Sequence, residues 1–302
     1  MASKELTAAL EAARAAADVI RAYYRRHPSV QIKPDQSPVT EADVRAEEVI
    51  RATLARSFPG YGFYGEETGQ HAMGAESIWL VDPIDGTKSF VRETPFFSTQ
   101  IALMRAGELV LGVSNAPAYE ELAWAERVGG AFLNGQRIRV SEVGKLADAF
   151  VSIGNLKSLT RPPHWPRLGE LLGRVARVRG YGDFVHYHLL ARGALEVVIE
   201  SDVNILDIAA LVVLVREAGG TFTDLAGAPV GLGTTSVLAT NGAVHDAVLA
   251  ARFADRVLLL HGDGRWVLGP VGTTLTAASL SELYLAPMIE LGRDGRRVFV
   301  SA

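Results

Sequence analysis

The sequence predicts an α/β (α+β) protein in which β-sheets are covered by α-helices, and three patterns support this prediction. Ile78–Val81 is an uninterrupted apolar run, as in strands buried on both faces. Thr99–Val140 contains alternating apolar segments joined by short turns, which is typical of an antiparallel sheet. From Phe150 onward, strand and helix patterns alternate, which favours a mixed sheet flanked by helices.

Length and composition limit the classes of protein that fit. The 302 residues suffice for one large or two ordinary domains, and 48% hydrophobic with 21% charged residues is typical of a globular protein. The net charge of −4 argues against a partner that is nucleic acid or an anionic membrane. The absence of cysteine excludes disulfides and thiolate metal sites. Because we find neither a secretion signal nor a membrane-spanning stretch, we expect a cytoplasmic protein.

We expect three segments along the chain. Residues 1–148 form an N-terminal α+β half, which begins with an amphipathic helix over Lys4–Arg26 and a second helix from near Thr40. Residues 149–255 form a C-terminal α/β half. Residues 256–302 form an appended hairpin, helix and hairpin, which either pack on the core or a partner or have no function of their own.

Asp43 lies in the first turn of the second predicted helix. A carboxylate there complements the positive end of the helix dipole, which explains the residue without any catalytic role. The alternative is that Asp43 is a general base that faces an ion site. The residues alone leave both explanations open.

The stretch from Asp82 to Asp85 has the residue types of a metal site. Pro83 cannot donate a hydrogen bond to a neighbouring strand, so we expect the buried strand to stop there. The carboxylates of Asp82 and Asp85 are the hard oxygen ligands that Mg²⁺ prefers, and the carbonyl of Ile84 offers a further oxygen. The same residue types also suit a plain turn.

The residues on either side of this stretch favour an ion site over a plain turn. Gly86 permits close approach of the backbone, and Thr87 is expected to cap a helix whose free amides face an anion. A second acidic pair, Glu66 and Glu67, follows a predicted strand end, although a solvated surface turn would also explain it.

In their order along the chain, these motifs resemble the inositol monophosphatase family of Mg²⁺-dependent, Li⁺-sensitive phosphatases. The resemblance covers roughly Leu6 to Ala251. It implies a layered α-β-α-β-α sandwich, a homodimer, and direct attack by a metal-activated water on a small-molecule phosphate monoester. The motifs that carry it are Gly65–Glu67, Asp82–Thr87, Asp207–Ala210 and Glu217–Gly220.

The resemblance also implies the roles of individual residues. Asp43 and Thr87 would orient and deprotonate the water, with Glu66 as a further catalytic residue, and the backbone at Gly86 and Thr87 would bind phosphate. Carboxylates that converge without cations would repel one another, which favours two or three Mg²⁺ ions over salt bridges. The implied metal ligands are Glu66, Asp82, the carbonyl of Ile84, Asp85 and Asp207.

Within the family, the chain is most similar to the bacterial histidinol-phosphatase branch. Lys88 and Ser89 follow the threonine as in that branch, and Asp183 stands where inositol enzymes tend to have a small or hydroxyl residue. Histidinol phosphate carries an ammonium group, which Asp183 and Glu200 would bind better than a neutral polyol. The alternatives are inositol 1-phosphate, a nucleoside 3′,5′-bisphosphate, or a catalytically silent scaffold.

Three residues depart from the family pattern. Leu206 replaces a common tryptophan, and His186 and His188 replace residues that are not usually histidine. The His-x-His pair could suggest zinc, but residues i and i+2 of a helix point to different faces, which argues against a shared ion. Residues 256–302 fall outside the family and resemble, over a short segment, the end of ABC-transporter ATPase subunits. The chain has no Gly-x-x-x-x-Gly-Lys-Ser/Thr loop, so ATP hydrolysis is not implied.

Overall fold

A computed structural model of the chain describes residues 2–26, 29–34, 38–162, 164–253, 256–263, 265–270, 274, 276–285, 287–293 and 296–301. Contacts divide the chain into two compact units, residues 1–248 and residues 249–302. Among the described helices, none combines the length and the apolar character that crossing a membrane requires.

The two helices predicted for the N-terminal half are present, and the first ends three residues before its predicted end because Tyr24 takes the C-cap position. The described helices are α1 (Lys4–Tyr23), α2 (Glu41–Ser57), α3 (Thr87–Val91), α4 (His164–Leu172), α5 (Asp183–Ala191), α6 (Ile205–Glu217), α7 (His245–Phe253) and α8 (Ala277–Tyr284).

The strands of residues 1–248 form a two-stranded ribbon and two larger sheets. They are β1 (Val30–Ile32), β2 (Pro38–Thr40), β3 (Gly62–Gly65), β4 (Gly69–His71), β5 (Ser77–Asp85), β6 (Ser98–Arg105), β7 (Glu108–Ala116), β8 (Glu121–Glu126), β9 (Gly130–Leu133), β10 (Gln136–Ile138), β11 (Phe150–Gly154), β12 (Arg177–Arg179), β13 (Val197–Ser201), β14 (Thr221–Thr223) and β15 (Ser236–Thr240).

The first large sheet has eight strands in the order β10-β9-β8-β7-β6-β5-β3-β4. Strands β5 to β10 pair antiparallel in succession, which confirms the predicted antiparallel sheet. Strand β3 pairs parallel to β5 at the other side. The apolar run of β5 is buried throughout, as its composition predicts.

The second large sheet has five strands in the order β12-β11-β13-β15-β14. Strands β12 and β13 run parallel to β11, whereas β15 is antiparallel to both of its neighbours. The sheet is therefore mixed, as predicted. The predicted boundary at residue 148 falls between the two sheets and stays a prediction.

The helices and sheets form five layers. Successive residues of β5 join different clusters, Ile78 with α5 and α6, and Trp79 with α1 and α2, so the two helix pairs cover opposite faces of the first sheet. Helix α6 also contacts β14 of the second sheet. The connection from β11 through α4 to β12 runs in one direction along the second sheet, and the connection from β12 through α5 to β13 runs in the other. Because crossovers between parallel strands are right-handed as a rule, α4 and α5 belong on opposite faces of this sheet. The predicted α-β-α-β-α order is confirmed.

Strand β5 continues beyond Pro83, so the prediction that it stops there is wrong. The pairing with β6 is interrupted after Asp82 and resumes at Asp85, which pairs with Ser98. Pro83 lies in this bulge, where the strand needs no backbone donor, and its carbonyl accepts a hydrogen bond from the Thr99 hydroxyl at 2.8 Å. The bulge turns the end of the strand where the two aspartates lie.

The second unit contains a hairpin, a helix and a second hairpin. Strands β16 (Arg256–Leu260) and β17 (Trp266–Pro270) pair antiparallel, helix α8 follows, and β18 (Met288–Arg293) pairs with β19 (Arg296–Ser301). Residues 264, 271–273, 275, 286, 294–295 and 302 of the predicted tail lie outside the described residues. Thr276 caps α8 by accepting a hydrogen bond from the backbone of Ser279.

Candidate active site

Three aspartates that are distant in sequence meet at the end of β5. One carboxylate oxygen from each of Asp82, Asp85 and Asp207 can be chosen so that all three lie within 4.8 Å of one another. Asp82 and Asp85 flank the bulge of β5, and Asp207 lies in the first turn of α6. Asp82 is buried, whereas the other two are partly accessible. The structure therefore brings together three of the four predicted carboxylate ligands in one cluster.

The fourth carboxylate, Glu66, lies beside this cluster. Burial raises the pKa of Asp82 well above its usual range, and the charge of Glu66 and a hydrogen bond to it contribute to the shift. Burial also raises the pKa of Asp85, followed by the charges of Asp183 and Asp207. These carboxyl groups repel one another and are partly cut off from water, which are the conditions that a bound divalent cation relieves.

Asp207 is also part of a capping box at the start of α6. The backbone N and side-chain Nδ2 of Asn204 donate to its carboxylate at 2.9 and 2.6 Å, and Asn204 Oδ1 accepts from the N–H of Leu206 at 2.7 Å. Burial and the charge of Glu66 outweigh these hydrogen bonds and raise the pKa of Asp207 to about 7. Helix capping thus fixes the direction of a carboxylate that faces other acids.

Asp43 occupies the matching position at the start of α2. The backbone N and the hydroxyl of Thr40 donate to Asp43 Oδ2 at 2.7 and 2.6 Å, so Asp43 is part of a capping box at the start of this helix. The other oxygen, Oδ1, accepts from the Thr87 hydroxyl at 3.1 Å, so the residue also faces the site. Burial raises the pKa of Asp43, although the hydrogen bonds from Thr40 and Thr87 partly oppose the shift.

Gly86, not Thr87, caps α3, so the prediction that Thr87 caps this helix is wrong. Gly86 has φ +92°, and a Cβ atom there would lie 2.5 Å from the carbonyl oxygen of Phe96. Only glycine fits both demands. Thr87 is the first residue of the helix, and its hydroxyl lies 3.0 Å from the carbonyl of Ile84 and also faces Asp43.

Glu47, which is not among the predicted site residues, holds the acidic loop after β3. Its buried carboxylate accepts hydrogen bonds from the backbone N of Glu67 and of Thr68, both at 2.8 Å. A Cβ atom at Gly65 would lie 2.5 Å from this carboxylate, so residue 65 must be glycine. Glu47 therefore fixes the backbone that carries Glu66.

Lys33, which was also not predicted, contacts the same loop. Its ammonium group lies 3.0 Å from Glu66 Oε1 and 2.7 Å from Glu67 Oε1. Burial lowers the pKa of Lys33, but the two carboxylates outweigh burial and raise it. Burial raises the pKa of Glu67 to about 7, against the contact with Lys33. The acidic pair is thus partly buried and ion-paired, and the surface-turn explanation is wrong.

The two predicted substrate residues lie near the aspartate cluster. Asp183 begins α5 with φ +46°, a conformation that residues other than glycine seldom adopt, directly after Gly182 with φ +70°. Burial and the charge of Glu200 raise the pKa of Asp183 to about 6. The charges of both residues contribute to the raised pKa of Asp85. One acidic region therefore contains the aspartate cluster together with Asp183 and Glu200.

The two histidines of α5 face different sheets, as the helix geometry predicts. His186 Nε2 lies 3.1 Å from Glu200 Oε2 on the second sheet. His188 lies 2.9 Å from both Glu121 Oε2 and Ser114 Oγ on the first sheet. Burial lowers the pKa of His188, against the contact with Glu121. The pair does not converge on one point, so this geometry does not suit a shared zinc ion.

The site residues that were not predicted differ in whether a local sequence pattern indicates their role. Glu47 lies four residues after Asp43, on the same helix face, and Asn204-x-x-Asp207 is a capping-box pattern, so both could have been found. Lys33 contacts Glu66 and Glu67 from a loop more than thirty positions away in the chain, and no local sequence pattern predicts that contact.

Comparisons with known proteins agree with this geometry. The Inositol monophosphatase family matches residues 1–257. A histidinol-phosphatase from Mycobacterium tuberculosis is 44% identical over 225 residues, which cover 73% of this chain and 86% of that protein. An inositol-1-monophosphatase from Mesorhizobium japonicum is 38% identical over 227 residues, which cover 74% of this chain and 85% of that protein.

A solved structure gives the same result for the fold. An IMPase from Thermotoga maritima has a TM-score of 0.75 and 31% identity, and the match covers 82% of this chain and 96% of that one. The residues beyond the family match, 258–302, all lie in the second unit, which starts at residue 249. The chain belongs to the inositol monophosphatase family and is a phosphoric monoester hydrolase.

Proposed function

We propose that this phosphatase hydrolyses histidinol phosphate with the help of two or three Mg²⁺ ions. The observation that carries the proposal is the convergence of Asp82, Asp85 and Asp207 within 4.8 Å, in an acidic region that also contains Asp183 and Glu200. The first feature suits divalent cations, and the second suits a substrate that carries a positive charge. The relative from M. tuberculosis that is named histidinol-phosphatase supports the choice of substrate.

The donor set fits Mg²⁺ because it consists of oxygen atoms. When bound, Mg²⁺ ions supply Lewis-acid polarisation of the phosphate and lower the pKa of a water molecule. The residues that would hold them are Glu66, Asp82, the carbonyl of Ile84, Asp85 and Asp207.

Asp43 and Thr87 would handle the proton of the attacking water. The Thr87 hydroxyl can accept a hydrogen bond from water while it donates to Asp43 Oδ1 at 3.1 Å, which orients the water and passes its proton toward a carboxylate. Because Thr40 occupies Oδ2, the carboxylate of Asp43 cannot rotate away from this task. Glu66 would act beside them as a further catalytic residue.

The phosphate and the ammonium group of the substrate would bind to different residues. The first-turn N–H groups of a helix have no partner within the helix, and those at Gly86 and Thr87 would donate to phosphate oxygens. Asp183 and Glu200 would bind the ammonium group of histidinol phosphate. Both carboxylates would form weaker hydrogen bonds with the neutral hydroxyl groups of a polyol than with an ammonium group.

Inositol 1-phosphate is the second candidate substrate, because an inositol-1-monophosphatase is 38% identical to this chain. Both substrates need the same metal and phosphate sites, so they differ only at the acidic residues. The homodimer and the cytoplasmic location stay predictions, and light scattering of the purified chain tests the first.

A substrate panel tests the proposal. The purified chain, with Mg²⁺ or with EDTA, is incubated with histidinol phosphate and with inositol 1-phosphate, and released phosphate is measured. We expect Mg²⁺-dependent turnover with higher kcat/KM for histidinol phosphate, and an Asp183→Ser variant that raises KM for histidinol phosphate more than for inositol 1-phosphate. Equal rates with Mg²⁺ and EDTA would exclude the metal mechanism, and a preference for inositol 1-phosphate would favour the second candidate.

A further inference from the structure

The carboxylate of Glu200 is held by one of its two oxygens. The Tyr187 hydroxyl donates to Oε2 at 2.7 Å, and His186 Nε2 lies 3.1 Å from the same atom. Within the described part of the chain, no hydrogen bond reaches Oε1. Glu200 is only 3% exposed, so bulk water does not replace the missing partner at full strength.

The protons of this group can be assigned from the hydrogen bonds. A carboxylate only accepts, so His186 Nε2 carries a proton and donates to Glu200. His186 Nδ1 lies 3.3 Å from the Ser152 hydroxyl, which itself accepts from the backbone N of Tyr181 at 3.2 Å. Burial and the charge of Glu200 raise the pKa of Tyr187, so its phenol keeps the proton that it donates. His186 Nε2 and the Tyr187 hydroxyl therefore both direct a donor at Oε2 of Glu200.

Packing prevents Glu200 from turning away from these donors. A Cβ atom at Gly154 would lie 2.5 Å from Glu200 Oε1 and 3.1 Å from His186 Cε1. Gly154 on β11 is the register partner of Glu200 on β13, so the backbone of one strand lies against the carboxylate of the next. His186 is fully buried. The carboxylate is thus fixed in position by β11, β13 and α5 together.

The surroundings of Glu200 are acidic and favour the binding of a cation. Asp183 is close enough that the two carboxylates influence each other, and the charges of both reach Asp85. Among the described residues, no lysine or arginine forms an ion pair with Asp183 or Glu200, and the basic side chain in contact with Glu200 is the imidazole of His186. A pair of fixed acids with one free oxygen suits a ligand that brings a positive charge.

We propose that His186 is a positioning residue that holds Glu200 as an acceptor for a substrate ammonium group, and so selects amino-alcohol phosphates over neutral alcohol phosphates. The inference rests on the proposed function, because it assumes that the substrate binds beside the aspartate cluster. It goes further by assigning a role to His186 and Tyr187, which do not touch the substrate in this arrangement.

The test compares two cationic with two neutral substrates. Histidinol phosphate and ethanolamine phosphate carry an ammonium group, whereas inositol 1-phosphate and glycerol 1-phosphate do not. We expect His186→Leu to raise KM for both cationic substrates about tenfold, the size expected for one hydrogen bond to a charged group, with kcat changed less than about twofold. We expect His186→Gln, which retains an N–H donor, to recover most of the loss. KM for the neutral substrates stays within about twofold in both variants.

His188→Gln is the matched control, because it changes the other buried histidine of α5, whose contacts are on the first sheet. It lowers the melting temperature without changing the ratio of cationic to neutral kcat/KM. If His186→Leu does not fold, Tyr187→Phe removes only the second donor to Glu200 and changes the same ratio in the same direction. An equal loss of kcat/KM on all four substrates would overturn the proposal. So would an unchanged ratio of cationic to neutral kcat/KM in both His186→Leu and Tyr187→Phe.

Failure of the proposed substrate can be told apart from failure of this inference. If the wild-type chain hydrolyses ethanolamine phosphate in preference to glycerol 1-phosphate but does not hydrolyse histidinol phosphate, the proposed substrate is wrong and the role of His186 is tested on ethanolamine phosphate. If the wild-type chain prefers histidinol phosphate and His186→Leu keeps that preference, the proposed substrate stands and the role of His186 is rejected. If the wild-type chain prefers neither cationic substrate, the inference fails together with the proposed substrate.

Discussion

The Thr87 hydroxyl lies 3.1 Å from Oδ1 of Asp43, although 44 positions separate the two residues in the chain. The hydroxyl also lies 3.0 Å from the carbonyl oxygen of Ile84. It has a single proton, so it can donate to one of these acceptors at a time. This choice links the start of α2 with the bulge of β5, and it places a movable proton beside the aspartate cluster.

Replacing Thr87 tests whether this proton takes part in catalysis. Thr87→Val keeps the shape of the side chain but removes the hydroxyl, and we expect kcat to fall about 10²-fold or more with KM changed little. Thr87→Ser retains the hydroxyl and should keep most of the activity. Steady-state kinetics at saturating Mg²⁺ measure both, and a Val variant with kcat within twofold of the wild type would remove Thr87 from the proton path.

Asp43→Asn separates catalysis from helix capping. Asparagine keeps a side-chain oxygen for Thr40 but cannot act as a base, so we expect kcat to fall about 10²- to 10⁴-fold while the free energy of unfolding changes by at most about 1 kcal/mol. Ser3→Ala is the control, because Ser3 caps α1 by accepting from Leu6 N at 2.9 Å and has no proposed role in the reaction. It should lower stability by about 1 kcal/mol and leave kcat unchanged. Urea unfolding and kinetics give the two readouts.

Asp85→Asn should abolish activity and stabilise the metal-free protein. The pKa of Asp85 is raised by burial and by the charges of Asp183 and Asp207, so its ionised form is costly in the absence of cations. We expect turnover to be lost and the melting temperature of the EDTA-treated protein to rise by about 2 °C or more. The increase in melting temperature that Mg²⁺ gives the wild type should shrink. A variant that retains wild-type kcat would place Asp85 outside the metal site.

The metal-free protein should lose stability as the pH rises. The pKa of Asp207 is raised from 3.8 to about 7, and that of Glu67 from 4.5 to about 7. Between these values the folded protein keeps protons that the unfolded chain has released, so raising the pH favours unfolding. Melting temperatures in EDTA should therefore fall from pH 5 to pH 8.

An Asp207→Asn variant is the control for this pH dependence. It lacks one of the groups with a raised pKa, so its melting temperature should fall less over the same range. Mg²⁺ competes with protons for the carboxylates, so it should raise the melting temperature of the wild type more at pH 8 than at pH 5. A melting temperature that rises with pH in EDTA would contradict the raised pKa values.

Glu47→Ala should weaken metal binding without removing a ligand. The substitution leaves the backbone N–H groups of Glu67 and Thr68 without their acceptor, so the loop that carries Glu66 loses its fixed position. We expect the Mg²⁺ concentration at half-maximal activity to rise about tenfold or more, as for other residues that orient a metal ligand. Glu48→Ala changes an exposed neighbour and should have no effect. An unchanged Mg²⁺ requirement in Glu47→Ala would show that the loop does not depend on this carboxylate.

Local sequence patterns predict most of the fold. The apolar run Ile78–Val81 is buried in β5, and the alternating segments after Thr99 pair antiparallel. These predictions succeed because burial and periodicity are properties of neighbouring residues. Pro83 is the exception, since the bulge that lets β5 continue depends on its pairing with β6 and on the Thr99 hydroxyl.

The sequence predicts those parts of the site that lie within one short motif, but not the contacts between distant segments. Asp82 and Asp85 lie within one motif, and their convergence with Asp207 follows from the family resemblance rather than from spacing. The contacts of Lys33 with Glu66, and of His186 with Glu200, depend on how distant segments pack. Whether Gly86 or Thr87 caps α3 depends on the carbonyl of Phe96, ten residues beyond the cap.

Helix α6 lies between the two large sheets, and it carries Asp207. On one side the fit leaves no spare space, because a Cβ atom at Gly112 of β7 would lie 2.3 Å from the carbonyl oxygen of Ala210. On the other side α6 contacts β14. Because α6 contacts both sheets, the position of Asp207 relative to Asp82 depends on how the two sheets pack on this helix. The geometry of the aspartate cluster therefore rests on apolar packing around α6, at a distance from the carboxylates themselves.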